Sequence, residues 1–292
     1  MFLQQVVDGV ATGAVYGALA LAIVLVYRAS RTLNFAQGEL ALLGAYVSWQ
    51  LTAWGVPIWG ALVASMAALA LLSAGIERVL VRPLVRRHQH LPLIIVSLGL
   101  MIALNATIGW VWTYQTKEVP ALFGAGSFVI AGVSVSRQDV GIVFSVLVVA
   151  AGLAALFGFT RVGLRMRAAV SSPESAELSG ISTGRTMSIG WALAGAVGAL
   201  AGTMIAPELF LHPGMMGPVL IYAFAAATLG GLDSPVGALV GGVAVGIIEN
   251  LAGSYLPAVG SELKQVVALL IIVGVLLIRP QGIFGRRELV RA

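Results

Sequence analysis

The sequence predicts an all-α integral membrane protein, folded as a polytopic bundle of eight or nine transmembrane helices. Of its 292 residues, 59% are hydrophobic and only 10% are charged, whereas soluble domains carry about 25% charged residues. The apolar residues form continuous runs close to the ~20 residues that a helix needs to cross a bilayer. Strands of a membrane β-barrel would alternate apolar and polar residues with a period of two, so the runs favour helices.

Nine apolar runs are candidates for spanning helices. They cover residues 6–27, 35–52, 58–75, 93–112, 140–159, 187–206, 219–232, 235–256 and 265–278. The second carries Gln37 and Glu39 near its start, and the run 219–232 is too short to span unaided. That run could be a re-entrant or broken helix, or merge with its neighbour, so the predicted count is eight or nine. Residues 1–27 lack the positive region that begins a cleaved signal peptide, which predicts a retained first helix.

The basic residues predict the orientation. If the N-terminus is outside and nine helices alternate, only Lys117, Arg137 and Lys264 of the 17 Lys and Arg residues fall outside. The inside residues then include Arg286, Arg287 and Arg291. Because Lys and Arg are enriched in cytoplasmic loops, we predict N-out and C-in, and attribute the net charge of +5 to this bias rather than to nucleic-acid binding. An eight-helix map keeps this sidedness only with one re-entrant segment.

Two connections are long enough to have structure of their own. In the outer loop 113–139, apolar residues from Phe128 to Val135 flank Ala131 and Gly132, which predicts a short hairpin or a lid over the outer mouth. In the inner loop 160–185, Ser172 and Pro173 favour the start of a short helix, and Gly180 favours its end. The alternative for the inner loop is a solvated connector.

The segment from Asn34 to Glu39 is the most informative short stretch. Asn34 is placed to cap the following helix, and Gln37 to reach back to it as in a capping box. Glu39 then lies about one turn inside an apolar segment, where an ionisable group is costly unless paired or hydrated. Either the helix start faces a water-filled path, or Glu39 is satisfied by an Arg or by backbone amides and fixes the packing.

Two further polar positions interrupt the apolar runs. Asp233 precedes Ser234 and Pro235, which predict another helix start. Glu249 and Asn250 lie within an apolar helix, where the structural alternative is a hydrogen bond between helices. The candidate substrate path consists of Asn34, Gln37, Gly38, Glu39, Asp233 and Glu249.

Glycines recur at close spacing within the predicted helices. The rows are Gly9, Gly13 and Gly17, then Gly195, Gly198 and Gly202, and then Gly237 and Gly241. Small residues at this spacing let helix backbones approach closely in lipid. We therefore predict packing faces there rather than ligand sites.

Several enzyme and cofactor classes are excluded by missing motifs. A P-loop needs a Gly-Lys pair, and the two lysines, Lys117 and Lys264, stand in no such motif. The chain has no Cys, and His88, His90 and His212 lack the spacing and carboxylate support of a metal site. No Ser-His-Asp or paired-carboxylate arrangement is evident. We expect a transport subunit without its own ATPase site, metal or cofactor.

At several points the chain resembles the permease subunits of branched-chain amino-acid ABC transporters, of the LivH type. The matching stretches are 34–39, 43–46, 77–84, 160–168, 176–181, 229–238 and 279–285. Their order and spacing agree with the family over nearly the whole chain. Gln37 stands where the family has His, and Val162 where Leu is common. The resemblance leaves the solute open between branched-chain amino acids, urea, amides and other small solutes.

The resemblance implies one transmembrane permease domain over residues 1–292, in the plasma membrane of a bacterium or archaeon. It also implies three kinds of partner: a second similar permease, two cytoplasmic ATPase subunits that bind the ATP, and an extracytoplasmic solute-binding protein. The loop 160–185 then becomes a cytoplasmic coupling loop, whose small residues Ala168, Ala176 and Gly180 match those that dock in an ATPase groove. The candidate coupling residues are Arg165, Arg167, Ala168, Glu174, Ala176, Glu177 and Gly180.

Two other functions compete with the importer. A secondary carrier or channel would use Glu39 or Glu249 as an ion-coupling group, and would transport without ATP. An intramembrane enzyme would need a catalytic constellation, and the sequence offers none.

Overall fold

The computed structural model describes residues 1–87, 90–124, 126–130, 132–255 and 263–285. Its helices are α1 Phe2–Ser30, α2 Gln37–Ala53, α3 Ile58–Ile76, α4 Arg82–Arg86, α5 His90–Trp112, α6 Arg137–Phe159, α7 Arg161–Ser171, α8 Pro173–Leu178, α9 Thr183–Leu209, α10 Met216–Gly230, α11 Pro235–Tyr255 and α12 Lys264–Ile278. A π-helical segment, Glu77–Val81, joins α3 to α4. Strands β1 Ser127–Ile130 and β2 Val133–Ser136 form an antiparallel hairpin. His88, Ala131, Leu256, Arg286, Arg287 and Arg291, which the sequence predictions include, lie outside the described residues.

The helices confirm an all-α membrane protein. Within the described ranges, six helical stretches are long and apolar enough to cross a bilayer: Phe2–Ser30, Ile58–Arg86, Leu91–Trp112, Arg137–Phe159, Thr183–Leu209 and Pro235–Tyr255. Three shorter helices, α2, α10 and α12, have 17, 15 and 15 residues. Each of the nine predicted runs therefore contains a helix. Since α10 ends at Gly230 and α11 begins at Pro235, the alternative in which these two runs merge is wrong.

Helix α1 forms the centre of the bundle, and α11 packs along it through glycines. Leu19 and Ile23 of α1 have no exposed surface. A Cβ atom on Gly13 would lie 2.6 Å from the carbonyl oxygen of Gly242, and one on Gly242 would lie 2.3 Å from the Cα of Gly17. The backbones touch directly, which confirms the predicted packing face on α1.

The glycines of α9 pack in the same way against two other helices. A Cβ atom on Gly195 would lie 2.3 Å from the carbonyl oxygen of Leu69 in α3. One on Gly202 would lie 2.1 Å from the carbonyl oxygen of Ala41 in α2. Gly237 and Gly241 face α10 instead, against Gly230 and Ala226. These predicted packing faces are confirmed as well.

The connections between helices gather at two ends of the bundle. At one, here called the arginine end, the 31–36 and 231–234 connections meet through an ion pair of 2.9 Å between Arg31 and Asp233. At the other, the hairpin end, the Gln4 side chain pairs with the backbone of Ser134, and Lys117 pairs with Leu211 through backbone bonds. The hairpin predicted in the outer loop is confirmed, and it lies beside the start of α1.

Candidate functional site

Helix α2 begins two residues later than a cap at Asn34 would require. Its first residue is Gln37, and no side chain caps its start. The Asn34 Oδ1 atom accepts a 3.1 Å bond from the Ala36 N–H, and the Gln37 amide donates 3.0 Å to the Ala194 carbonyl oxygen of α9. The predicted cap at Asn34 is therefore wrong. Gln37 does reach back to Asn34, because its Oε1 atom accepts a 3.3 Å bond from the Asn34 side-chain amide, while its own amide group fixes α2 to α9. Gly38 packs against Leu220 of α10.

Glu39 lies in the first turn of α2 and is 9% exposed. Its Oε2 atom accepts a 3.1 Å hydrogen bond from the Asn105 side chain of α5, which also donates 2.8 Å to the carbonyl oxygen of Pro213. The predicted partner, an Arg or backbone amides, is therefore wrong. Glu39 lies about 16 Å along the α2 axis from Gln50, whose side chain accepts a bond from Trp112 at the hairpin end. The carboxylate is thus buried and lies far from the hairpin end of α2.

A second group of polar side chains lies nearer the arginine end. Asn34, Ser97 and Trp191 line a narrow cleft of about 10 Å³ between α5 and α9, which is room for a single water molecule. The Trp191 ring is 2% exposed, and its Nε1–H has no hydrogen-bond partner among the described residues. We call Asn34, Ser97, Trp191, Glu39 and Asn105 the polar seam; it runs along α5.

The polar seam continues into a cavity of about 340 Å³ at the arginine end. Thr32 and Leu93 line both the cleft and the cavity. Four arginines line it, Arg28, Arg31, Arg82 and Arg86, against one carboxylate, Glu177. Apolar side chains complete the wall, among them Leu25, Val85, Phe157 and Met187. The cavity can hold a small solute with both charged and apolar parts.

Asp233 and Glu249 lie apart from the polar seam. Asp233 pairs with Arg31 on the surface of the arginine end. Glu249 accepts a 2.8 Å bond from the Tyr16 hydroxyl of α1, and the Lys264 ammonium lies 3.7 Å from its other oxygen. Of the six predicted path residues, the structure therefore brings together only the four at the start of α2. The predicted interhelical bond holds for Glu249, whereas Asn250 bonds to Gly246 within its own helix.

Helix α11 begins as the sequence predicts. Pro235 is its first residue, and the Ser234 hydroxyl accepts a 3.0 Å bond from the Gly237 N–H. Gly231, with φ of +101°, ends α10. Local residue types therefore account for the break between α10 and α11.

The predicted short helix in the inner loop is α8, which starts at Pro173 after a Ser172 cap. Gly180 follows its end with φ of +77°, in the left-handed region that favours glycine. Ala176 is buried, while Glu174 and Glu177 are exposed. Leu178, at the tip, is 91% exposed. The loop thus presents a rigid turn with an apolar residue at its tip.

The sequence prediction missed helix α7, which holds Arg165, Arg167 and Ala168. Its buried residues are Gly163, Met166 and Ala169, and this spacing of three is a helical signal that the basic residues obscured. It also missed Asn105, although an amide within an apolar run is a visible signal. Nothing local marks Ser97 or Trp191, because their role depends on the packing of α5 against α9.

Comparison with known proteins identifies the family. The model of the family described as branched-chain amino acid transport system, permease component, matches residues 5–276. The chain belongs to this family. The resemblance predicted from the sequence is confirmed.

Curated relatives of this permease family match nearly end to end. The chain is 31% identical to the high-affinity branched-chain amino acid transport system permease protein LivH of Escherichia coli (strain K12), over 98% of this chain and 96% of that protein. It is 30% identical to BraD of Pseudomonas aeruginosa, over 98% and 97%, and 31% identical to a probable LivH of Methanocaldococcus jannaschii, over 91% and 87%. These relatives are named as permease proteins of branched-chain amino acid transport.

One solved structure also resembles this permease: PsaBC from Streptococcus pneumoniae in complex with Fab. The TM-score is 0.48 at 15% identity, covering 96% of this chain and 93% of that one. At this level the likeness supports no statement about function. Among the described residues there is no group of three or more His, Asp or Glu side chains that could hold a metal ion.

Proposed function

We propose that this chain is the membrane-spanning permease subunit of an ATP-driven importer that moves branched-chain amino acids into the cell. The observation that carries the proposal is the family match over residues 5–276, together with relatives named as branched-chain amino acid permeases that align over 98% of the chain. Energy comes from two separate ATPase subunits, and the solute from an extracytoplasmic binding protein. A second, similar permease completes the membrane part.

We propose that residues 1–292 form one domain with nine crossing helices, N-out and C-in, in the plasma membrane of a bacterium or archaeon. Contacts at the two ends of the bundle support the alternation. The Arg31–Asp233 pair joins two connections assigned to the inside, and the Lys117–Leu211 pair joins two assigned to the outside. The arginine end then faces the cytoplasm, as the enrichment of basic residues in cytoplasmic loops requires.

The proposed path follows the polar seam into the arginine-end cavity. Glu39 and Asn105 offer acceptors to an ammonium group, and Asn34 with Trp191 offers donors to a carboxylate. Polar groups at this depth are costly, and are characteristic of solute pathways. Gln37 and Gly38 support the seam by fixing α2 to α9 and α10. Asp233 and Glu249 are better explained as ion-pair partners that stabilise the bundle.

The proposed coupling element is the loop from α7 to Gly180. Leu178 supplies an exposed apolar contact, and the same two short helices carry four exposed charged residues, Arg165, Arg167, Glu174 and Glu177. Ala168 and Ala176 keep the two short helices slim enough to enter a groove. Such an arrangement, an apolar anchor with a charged rim, fits the groove of an ATPase subunit.

The test is reconstitution of this permease with its partner permease, ATPase subunits and binding protein in proteoliposomes. We expect uptake of labelled leucine that needs ATP and binding protein and that excess valine suppresses, whereas urea and acetamide do not. Uptake driven by an ion gradient without ATP would contradict the proposal and favour a secondary carrier. ATP-dependent uptake of urea or acetamide instead would retain the importer and replace the solute.

A further inference from the structure

A charged cluster joins α3 to α9, and two of its members, Arg82 and Gly184, also line the arginine-end cavity. The carboxylate of Glu77, in the π-helical segment, accepts two bonds from Arg82, of 2.8 and 2.6 Å. Arg82 also donates 2.8 Å to the Gly184 carbonyl oxygen and bonds to the Ser188 hydroxyl, which in turn donates 2.6 Å to Glu77. We call Glu77, Arg82, Ser188 and the Gly184 carbonyl the α3–α9 clamp.

Because the clamp is buried, it tolerates substitution of its charged residues poorly. The Glu77 side chain is 0% exposed and that of Arg82 is 17% exposed. A buried ion pair is costly to desolvate, and removal of one partner strands the other charge. Two parallel bonds to a carboxylate need the planar fork of an arginine, which a lysine does not supply. The clamp therefore holds α3 and α9 in one geometry rather than merely attracting them.

The helix that carries the clamp deviates at the same place. Pro83 has no N–H to donate to the carbonyl of Val79, and its ring crowds that carbonyl. The chain accommodates it through the π-helical segment Glu77–Val81 directly before it. Such segments are often found at functional sites. Here the segment turns Glu77 toward α9.

The clamp contacts α9 in the first turns of that helix, immediately after the proposed coupling loop. Glu177 of α8 accepts a hydrogen bond from the Thr183 hydroxyl, and Ser182 caps α9. Gly184 and Ser188 follow on the same helix. Contacts therefore run without interruption from α8, through the start of α9, to the clamp and on to α4, whose Val85 and Arg86 line the arginine-end cavity.

We propose that the α3–α9 clamp is the positioning device that transmits displacement of the coupling helix α8 to the α3–α4 wall of the arginine-end cavity. Glu77 and Ser188 lie outside the lining of the cavity, whereas Arg82 borders it. Together the three residues make α9 and the α3–α4 stretch move as one body. The inference rests on the proposed importer function. It names the residues through which the conformational change of the ATPase subunits is transmitted to the cavity.

The test compares solute uptake with ATP hydrolysis in the complete reconstituted complex. Arg82→Lys keeps the charge and loses the fork; Ser188→Ala leaves the ion pair intact and removes the bridging hydroxyl. We expect uptake to fall about tenfold in Arg82→Lys and about threefold in Ser188→Ala. Hydrolysis should stay within about twofold, so more ATP is used per solute molecule. Because both variants act through one clamp, the double variant should lose no more than Arg82→Lys alone.

The matched control is Arg78→Lys, one residue from Glu77 in the same π-helical segment. Arg78 is exposed and takes no part in the clamp, so its ratio of ATP to solute should stay at the wild-type value. Wild-type ATP per solute in Ser188→Ala would overturn the inference, whether or not Arg82→Lys assembles. An equal loss of uptake and hydrolysis would also overturn it, since that is the mark of a merely structural contact. Failure of the proposed function would instead appear in the wild-type complex.

Discussion

The helices α1 and α5 cross the same bundle, yet they are packed in opposite ways. In the most apolar stretch of α1, 89% of the residues are buried, and in that of α5 only 17% are. Helix α1 meets α11 through backbone contacts at Gly13, Gly17 and Gly242. Helix α5 meets its neighbours through the polar contacts of Asn105 and a narrow cleft at Ser97.

This difference indicates that the helices around α1 form a rigid body and that the side of the molecule at α5 is more loosely packed. Close backbone packing allows little relative movement, because protein interiors are as dense as crystals. A helix held by a few hydrogen bonds beside a cleft can shift at low cost. We infer that solute movement takes place beside α5. Helix α5 then moves against a frame of α1, α9 and α11, together with the α3–α4 stretch that the clamp joins to α9.

The largest expected effect is a loss of stability when the rigid body is disturbed. In Gly242→Ala, the new Cβ atom would lie 2.3 Å from the Cα of Gly17, so two backbones must separate. Overpacking of this kind costs about 1–3 kcal/mol or more, and we expect the melting temperature of the purified protein to fall by about 5 °C or more. Size-exclusion chromatography after heating measures this fall.

The control for that variant is Gly99→Ala on α5, where a Cβ atom would meet nothing within 4 Å. Alanine is the better helix former by about 1 kcal/mol, so the melting temperature should not fall. Equal destabilisation by both variants would remove the distinction between the two sides.

The next effect concerns the exposed tip of the coupling loop. Leu178→Asp places a charge where we expect an apolar contact, and should weaken binding of the ATPase subunit at least about tenfold, as loss of a hot-spot residue does. Because Leu178 is 91% exposed, the melting temperature of the permease alone should stay unchanged. Leu178→Met keeps an apolar side chain and should bind normally. Undiminished ATPase binding by the Asp variant would show that the tip makes no contact.

A smaller and more discriminating effect is expected within the polar seam. Trp191→Phe removes an N–H that has no partner among the described residues, so the protein should be as stable as the wild type or slightly more so. If that N–H binds the passing solute, uptake should fall about threefold, as for one lost hydrogen bond. Unchanged uptake would take Trp191 out of the path.

Gln37→Leu is the counterpart of Trp191→Phe. It removes the bond to the Ala194 carbonyl oxygen, so the melting temperature should fall by about 2–4 °C. Uptake per folded complex should stay the same, because Gln37 supports the frame. Lower uptake without a lower melting temperature would show that Gln37 belongs to the solute path.

The smallest expected effect lies at the surface of the arginine end. The side chains of Arg31 and Asp233 are 46% and 35% exposed, and exposed pairs contribute only about 0–1 kcal/mol. Arg31→Gln should change the melting temperature by less than about 2 °C. The difference should shrink further at high salt, since salt screens exposed charges. A large, salt-independent loss would show that this pair belongs to the frame.

The fold was largely predictable, because the nine apolar runs and the break at Ser234–Pro235 depend on local residue types. The start of α2 was not, since Gln37 serves a carbonyl group on α9 rather than its own helix end. Only part of the polar seam could be predicted from the sequence. Glu39 stands out as a charge in an apolar run, but its pairing with Asn105 and the cleft at Trp191 arise from how α2, α5 and α9 are packed.

The most direct test of the central claim is a pair of distance measurements between spin labels in the complete complex. The 292-residue sequence contains no cysteine, so labels can be placed at Leu3→Cys with Tyr255→Cys, and at Leu3→Cys with Trp110→Cys, all exposed positions. Between the nucleotide-free and ATP-bound states, the first distance, from α1 to α11, should stay constant. The second, from α1 to α5, should change by more than about 2 Å. A constant second distance, or a change in the first, would contradict the account.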